Sequence, residues 1–308
     1  MSLIEQAARR LEQLKQAGAQ IPEEPPLGKN AIPEQTFDQA LNAKASEEAN
    51  SPDAASTALG SKQVDLNLEA LQAGGFLVPS AANTKLANEY RVIKRPLIAN
   101  AMGKGASLVE NGNLIMITSA LPGEGKSFSA INLAMSIAME LNNTVMLVDA
   151  DVARPSILNM LGLPPSEGLL DVVQANSTDI SQVLIRTNIE KLTILPSGTM
   201  HQRATELLAS DAMMRLVADM SQRYKDRIII FDSPPLLLTT EARVLATHMG
   251  QVVMVVHAGR TTEAAVKEAV ATIERCPVKM TLLNQVRQVS PDRYGYGYSF
   301  AYGYGHDK

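Results

Sequence analysis

The sequence of 308 residues is poor in the residue types that build disulfides and metal sites. It has one cysteine, Cys276, and four histidines, no two of which lie at metal-ligand spacing. An internal disulfide framework and a cysteine-rich metal site are therefore excluded, and the scarcity of cysteine suits a reducing cytoplasm. Basic residues are not in excess either, since 28 Lys and Arg against 32 Asp and Glu give a net charge of −4. We therefore expect no general affinity for nucleic acid.

Long apolar runs are also lacking. The longest, such as residues 228–231 and 252–256, have the length of a β-strand and fall far short of the roughly 20 residues that span a bilayer. Residues 1–20 have no apolar core of signal-peptide length. We therefore expect a cytoplasmic protein that does not cross the membrane and that is held at its inner face only through a partner.

The composition divides the chain into four parts. Residues 1–18 place alanine, isoleucine and leucine on one face of a predicted amphipathic helix, which either packs on the main domain or docks on another protein. Five prolines interrupt residues 19–62, where hydrophobic periodicity is lost, and a disordered linker is predicted there. Residues 63–290 are expected to form one globular domain, and residues 291–308 a tyrosine-rich tail.

The main domain alternates short, β-branched apolar runs with segments of helix length. Apolar strands separated by helices predict an α/β protein with a doubly wound, mainly parallel sheet that is covered by helices on both faces. The expected strands are residues 114–118, 144–148, 191–195, 227–231, 251–256 and 278–283, and the expected helices include 83–94, 127–141, 206–224 and 262–275. Ligands bind beyond the carboxyl ends of the strands in such sheets, so the site is expected there.

A phosphate-binding loop follows the first of these strands. Residues 119–127 read SALPGEGKS, in which Gly123 and Gly125 let the backbone turn its N–H groups toward one point at the start of a helix. Lys126 would neutralise the β- and γ-phosphates of ATP, and the Ser127 hydroxyl would bind Mg²⁺. Ala120 stands where the usual pattern has its first glycine. The candidate nucleotide contacts are Pro122, Gly123, Glu124, Gly125, Lys126, Ser127 and Phe128.

Three aspartates follow two other expected strands. Asp149 and Asp151 come after the second strand, and because they are two residues apart they could face one cleft in an extended chain. Asp232 ends the fourth strand, a position that suits a carboxylate acting on Mg²⁺ through its waters. Any one of them alone could be a helix cap or a turn residue. Together with Lys126 and Ser127 they predict the P-loop fold and a catalytic site.

These segments resemble the bacterial tyrosine kinases, a family built on the P-loop ATPase fold. The matching residues are 119–127, 145–155 (VMLVDADVARP) and 228–235 (IIIFDSPP), and the resemblance extends over about residues 80–308. It implies that Lys126 holds phosphates, and that Asp149 is the base for the incoming tyrosine hydroxyl. It also implies that Mg²⁺ is organised by Ser127, Asp151 and Asp232. An asparagine contacts the adenine in related ATPases, and Asn284, after the last strand, is the candidate here.

The beginning of the chain and residues 89–97 (EYRVIKRPL) are similar to the stand-alone autokinases of exosortase-associated (PEP-CTERM) exopolysaccharide loci. The family resemblance implies a homo-oligomer, in the family a ring in which each tail enters the adjacent active site. It also implies, as partners, a tyrosine phosphatase and a cytoplasmic segment of a membrane protein that controls polysaccharide chain length. The family's oligomerisation pattern, a glutamate followed by arginines at intervals of three, is incomplete, since Asn88 and Lys94 occupy two of its positions around Arg91.

The last fifteen residues hold five of the seven tyrosines in the chain, where random scatter would put roughly 0.3. The alternating glycines deny this segment a packed core and lower the cost of its reaching into a site. Such a tail could be an adhesive low-complexity segment, but beside kinase motifs it predicts a substrate. The expected phosphoacceptors are Tyr294, Tyr296, Tyr298, Tyr302 and Tyr304.

Two other functions fit the same fold. A MinD- or ParA-like positioning ATPase would carry a lysine where this loop has Leu121, and would have no use for a tyrosine tail. A non-catalytic nucleotide-binding scaffold of a polysaccharide assembly would not need the lysine, serine and three aspartates intact. Turnover separates the three, because a scaffold forms no phosphotyrosine and a positioning ATPase releases phosphate without modifying the tail.

Overall fold

The computed structural model describes residues 62–286. The predicted N-terminal helix, nearly all of the predicted linker and the tyrosine tail lie outside the described residues. The described chain contains the strands β1 Lys62–Val64, β2 Leu114–Ser119, β3 Thr144–Asp149, β4 Ile185–Thr187, β5 Leu192–Leu195, β6 Arg227–Asp232, β7 Gln251–His257 and β8 Val278–Asn284. Its helices are α1 Leu68–Ala73, α2 Lys85–Ala101, α3 Lys126–Ala138, α4 Ile157–Met160, α5 Leu169–Gln174, α6 Ala204–Leu208, α7 Asp211–Arg223, α8 Thr240–Ala246 and α9 Glu263–Ala271, with a 3₁₀ turn at Pro79–Ala81.

Within residues 62–286 the eight strands form one sheet in the order β1-β4-β5-β3-β6-β2-β7-β8. Every neighbouring pair is parallel except β4 and β5, which are antiparallel. The predicted α/β class and all six predicted strands are thus confirmed, and the short β1 and β4 are added at one edge. The central strands β2, β3 and β6 are buried along almost their whole length, as expected for a parallel sheet that is covered on both faces.

Alternation along the strands divides the core between the two faces of the sheet. On β2, Leu114 and Met116 belong to one hydrophobic cluster, which includes residues of α7 and α8. Ile115 and Ile117 belong to the other, which includes residues of α2 and α3. The phosphate loop between β2 and α3 is therefore anchored to both halves of the core.

The largest departures from the predicted helix bounds are at residues 83–94 and 206–224, whereas the helices predicted for 127–141 and 262–275 end three and four residues early, at Ala138 and Ala271. The helix predicted for residues 83–94 continues to Ala101, through Pro96. Proline removes one backbone hydrogen bond, but Tyr90 and Leu97 on either side of it are buried, and this packing compensates for the loss. The helix predicted for 206–224 is two helices, α6 and α7, because the Ser210 hydroxyl accepts a hydrogen bond from the N–H of Met213 and begins a new helix.

Candidate active site

The phosphate loop has the backbone that its two glycines predict. Gly123 and Gly125 have φ of +78° and +91°, in the left-handed region that side chains rarely adopt. Gly125 is the N-cap of α3, and a Cβ there would lie 2.1 Å from the amide nitrogen of Asn284. The backbone conformation therefore requires a glycine at position 125, and a side chain there would also displace the Asn284 amide.

Glu124 holds the loop from within. Its buried carboxylate accepts a hydrogen bond from the N–H of Leu121 at 2.8 Å and another from the hydroxyl of Thr261, which follows β7. Glu124 was expected to contact the nucleotide. In the structure its carboxylate is occupied by one donor from the loop itself, Leu121, and by one from the segment after β7, Thr261. Thr261 was not among the predicted site residues, although its place after the carboxyl end of a parallel strand was a usable signal.

The end of β8 clamps the same loop. The side-chain amides of Asn284 and Gln285 donate to the carbonyls of Glu124 and Gly123, at 3.0 and 3.2 Å. Asn284 lies beside the loop, as a nucleotide contact would require, and the nitrogen of its amide is engaged by the protein. Phe128, another candidate contact, packs its ring against Phe76 with centroids 5.1 Å apart.

Lys126 and Asp151 form a close ion pair at the start of α3. The ammonium nitrogen lies 2.6 Å from Oδ2 of Asp151, and both side chains are largely buried. Burial by itself would lower the pKa of Lys126, but the charges of Asp232 and Asp151 raise it, and the net shift is upward. Lys126 is therefore a fixed positive charge at this end of the sheet.

Asp149 and Asp232 are neighbours on adjacent strands, paired in register across β3 and β6. Burial is the main cause of the raised pKa of both, about 6 for Asp149 and about 7 for Asp232. Backbone N–H donors to Asp149 and the charge of Lys126 near Asp232 oppose the two shifts. Within residues 62–286, neither oxygen of Asp232 has a hydrogen-bond partner, and neither has Oδ1 of Asp149.

The unpartnered oxygens of Asp232 fit a divalent cation. Three carboxylates face one ammonium, which leaves two uncompensated negative charges when all are ionised, and a dry site tolerates that poorly. The Ser127 hydroxyl, which accepts a hydrogen bond from the Ser156 hydroxyl at 2.9 Å, adds a neutral oxygen ligand. In the described part of the chain no group of three or more acidic, histidine or cysteine residues is placed to hold a metal ion by itself. Mg²⁺ does not need one, because it keeps waters and binds one or two carboxylates together with phosphates.

Two cavities open beside these residues. One, of about 420 Å³, is lined by residues that include Pro122, Gly123, Lys126, Asp151 and Arg154. The other, of about 570 Å³, includes Asp149 in its wall. Asp149 and Asp151 thus line different cavities, because β3 ends at Asp149 and the chain turns after it. Oδ2 of Asp149 accepts the N–H groups of Ser156 and Ile157, as in a helix cap, and only its Oδ1 remains available.

The structure therefore brings together Lys126, Ser127, Asp149, Asp151 and Asp232, which the sequence analysis assigned to one site. Lys94, which the sequence analysis placed in an oligomerisation pattern, is buried. Its ammonium donates to the Ser136 carbonyl and pairs with Glu140, each at 2.6 Å, at the end of α3. The predicted phosphoacceptors lie outside the described residues.

Comparison with known proteins gives a consistent set of relatives. The model of the AAA domain family AAA_31 matches residues 112–285. The chain is 32% identical over 222 residues to the tyrosine-protein kinase YwqD of Bacillus subtilis, covering 70% of this chain and 87% of that protein. It is 28% identical over 183 residues to the tyrosine-protein kinase wzc of Salmonella typhimurium, covering 59% of this chain and a quarter, 25%, of that longer protein.

Solved structures agree with the sequence relatives. The chimerical protein CapA2B2 is 28% identical, with a TM-score of 0.56, over 72% of this chain and 92% of that one. The kinase domain of the Escherichia coli tyrosine kinase ETK is 27% identical, with a TM-score of 0.53, over 61% of this chain and 73% of that one. Both likenesses extend over more than half of this chain.

Proposed function

This chain belongs to the bacterial tyrosine-protein kinases, and from that premise we propose that it transfers the γ-phosphate of ATP to the tyrosines of its own C-terminal tail. The observation that carries the proposal is the convergence of one lysine and three buried carboxylates beside the phosphate loop. A nucleotide-binding scaffold has no need of buried carboxylates with unpartnered oxygens, since each costs stability. A phosphotransferase uses them.

The chain's own residues have separate tasks in this proposal. The loop N–H groups and Lys126 bind the phosphates, and Lys126 exchanges part of its contact with Asp151 for phosphate oxygens. Ser127, Asp151 and Asp232 would hold Mg²⁺, which supplies positive charge to the phosphates. Glu124 and Asn284 keep the loop in its binding conformation, and the free oxygen of the Asn284 amide remains available to the adenine.

Asp149 is proposed as the base. The tyrosine oxygen forms a bond to the γ-phosphorus, the bond from that phosphorus to the bridging oxygen breaks, and ADP leaves. The proton of the tyrosine hydroxyl passes to Oδ1 of Asp149, the oxygen without a partner among the described residues. A pKa of about 6 leaves Asp149 mostly ionised at neutral pH. Because this pKa lies near neutral pH, the carboxylate can also accept a proton effectively during the transfer.

The transfer is proposed to occur between copies of the chain in a ring-shaped oligomer, in which one tail enters a neighbouring site. Contacts through α2 would use Asn88, Arg91 and Arg95, because Lys94 is buried against α3. Each phosphotyrosine adds roughly −1.5 to −2 charges, so five of them add about −7.5 to −10. This exceeds the net charge of −4 of the whole chain, and the repulsion between crowded tails would favour disassembly.

The cellular role is proposed from the same family. The kinase would regulate exopolysaccharide synthesis and export, with a cytoplasmic segment of a membrane chain-length regulator as activator and a tyrosine phosphatase as its opponent. Among residues 62–286 no helix is long and apolar enough to cross a membrane. We propose that the membrane regulator also attaches the kinase to the inner face of the membrane.

Intact mass spectrometry tests the proposal. The phosphatase-treated chain is incubated with Mg·ATP, alone and with an isotope-labelled Lys126→Met chain as a distinguishable acceptor. We expect successive gains of phosphate on the tail of both chains, and none when Lys126→Met is incubated by itself. Phosphate release with an unmodified tail would instead favour a positioning ATPase, and nucleotide binding with neither would favour a scaffold.

A further inference from the structure

The cavity of about 570 Å³ beside Asp149 has no part in nucleotide binding as described above. It lies between the segment that joins α4 to α5 and the loop after β5, and its volume falls within the roughly 300–1,000 Å³ typical of small-ligand sites. Residues 149–156 separate it from the phosphate-loop cavity, which Asp151 and Ser156 line. A group in this cavity would therefore approach the transfer site from the side opposite the phosphate loop.

The lining suits a phenol. Leu158, Leu163 and Pro165 provide apolar walls, and Met200, which is 81% exposed, stands at the rim. Asn159, Ser166, Glu167, Ser197 and Thr199 also line the cavity, and its most buried charged group is Asp149, which is 1% exposed and whose Oδ1 has no partner among the described residues. An apolar body with one polar end is the shape of a tyrosine side chain, which buries its ring and needs a partner for its hydroxyl.

The two walls of the cavity are linked to each other without a ligand. The Asp171 carboxylate accepts the N–H groups of Gly168 and Thr199, at 2.7 and 3.0 Å, and so joins the two loops that flank the cavity. A Cβ at Gly168 would lie 2.1 Å from the Pro196 carbonyl oxygen, so the two backbones are in direct contact. A cleft fixed in this way costs little conformational entropy when an acceptor enters it.

The charge of the cleft selects among acceptors. Apart from Asp149, the charged residue in its lining is Glu167, and no lysine, arginine or histidine from residues 62–286 lines it. Between residues 294 and 305 the tail contains tyrosine, glycine, serine, phenylalanine and alanine, and no acidic residue. Uncharged residues on either side of the acceptor tyrosine fit this cleft. A phosphate two residues from the acceptor would instead place roughly two negative charges near Glu167 and Asp149.

We propose that this cavity is the acceptor cleft of the kinase, that it takes a tyrosine from residues 294–304 of a tail, and that Glu167 disfavours tail segments that already carry a phosphotyrosine. The inference rests on the proposed function and adds to it the acceptor class and a specificity-determining residue. Each phosphate then slows the modification of the tyrosines two positions away, so phosphates accumulate on the tail at separated positions before they fill adjacent ones.

The test uses the full chain with its five tail tyrosines changed to Phe, so that an added peptide is the acceptor. The peptides are residues 297–306 with Tyr298→Phe, offering Tyr302 and carrying at position 304 either Phe or phosphotyrosine. The kinase is compared with its Glu167→Lys variant. The matched control is Glu190→Lys, since Glu190 is an exposed carboxylate on the turn before β5, at the opposite end of the sheet.

We expect the phosphopeptide to have a KM roughly tenfold above that of the neutral peptide with the parent kinase. Glu167→Lys should bring that ratio to about 1 or below, with KM for ATP unchanged, and Glu190→Lys should leave the ratio as in the parent. A ratio that Glu167→Lys does not move, or that both variants move equally, would overturn the assignment of the cleft.

A second readout covers a kinase that modifies its own tail but accepts no peptide. On chains with the native tail, Glu167→Lys should increase the mean number of phosphates per tail, and raise the fraction with phosphates at adjacent tyrosines. An unchanged distribution would reject the acceptor cleft while leaving the kinase intact. Absence of any phosphotyrosine in every chain would reject the proposed function itself, so the two failures are distinguishable.

Discussion

Removal of the Glu124 carboxylate tests whether the phosphate loop needs the hydrogen bonds that this side chain makes, because the glycines, Lys126 and Ser127 of the loop remain unchanged. In Glu124→Ala the N–H of Leu121 and the hydroxyl of Thr261 both lose their acceptor in a partly buried setting. A fully buried donor without a partner costs about 1–3 kcal/mol, and because these two donors are only partly buried we expect the formed loop to be destabilised by about 2 kcal/mol in total. If all of this appears in nucleotide binding, the affinity for Mg·ADP falls roughly thirtyfold.

Isothermal titration calorimetry of Mg·ADP measures this loss directly. Glu190→Ala is the control, because it removes an exposed carboxylate far from the loop. Thr261→Val should weaken binding less than Glu124→Ala does, and its effect should be smaller in the Glu124→Ala background than in the parent, because the two residues share one hydrogen bond. The Thr261 hydroxyl also accepts the N–H of His257, and that contact is lost in both backgrounds. An affinity of Glu124→Ala within twofold of the parent, or additive effects of the two changes, would refute a supporting role for Glu124.

Four further outcomes are expected. Asp149→Asn should lower kcat by a factor of about 10²–10⁴ and remove the fall in rate below pH 6 that the pKa of about 6 predicts, as seen in a pH–rate profile. The nucleotide-free chain should lose stability as pH rises from about 4 to 7, because the pKa of Asp232 is raised to about 7 in the folded state, which therefore binds more protons than the unfolded state in this range. Denaturant unfolding over the same pH range should show a smaller loss of stability for Asp232→Asn. Gly168→Ala should lower the stability by about 1–3 kcal/mol in the same assay, since its Cβ would meet the Pro196 carbonyl. The phosphorylated chain should have a lower mass by light scattering than the unphosphorylated one, and equal masses would contradict the charge argument.

The sheet and the composition of the site follow from local sequence patterns. Runs such as residues 228–231 are apolar and β-branched over the length of a strand, and so predict buried parallel strands without reference to the rest of the chain. The phosphate loop is equally local, because the φ values of Gly123 and Gly125 belong to the motif itself. Asp149 and Asp232 were expected at the ends of their strands for the same reason. The register of β3 and β6 places them side by side.

What the sequence could not predict depends on contacts between distant segments. The helix α2 passes through Pro96 because residues around it pack on α3, which no local signal encodes. Lys94 is buried because Ser136 and Glu140 meet its ammonium, so a residue that looks exposed in a helical pattern is part of the core. The partners of Glu124 and the second cavity beside Asp149 likewise depend on loops far apart in the chain.

The central claim is that the phosphate lost by ATP arrives on the tail tyrosines. The most direct measurement is the ratio of ADP formed to phosphotyrosine formed, with the phosphates mapped by peptide sequencing, over the first turnovers of the full chain with Mg·ATP. We expect one phosphotyrosine among Tyr294, Tyr296, Tyr298, Tyr302 and Tyr304 for each ADP, and neither product from Lys126→Met. ADP that accumulates without phosphotyrosine, or phosphate that maps outside the tail, would contradict it.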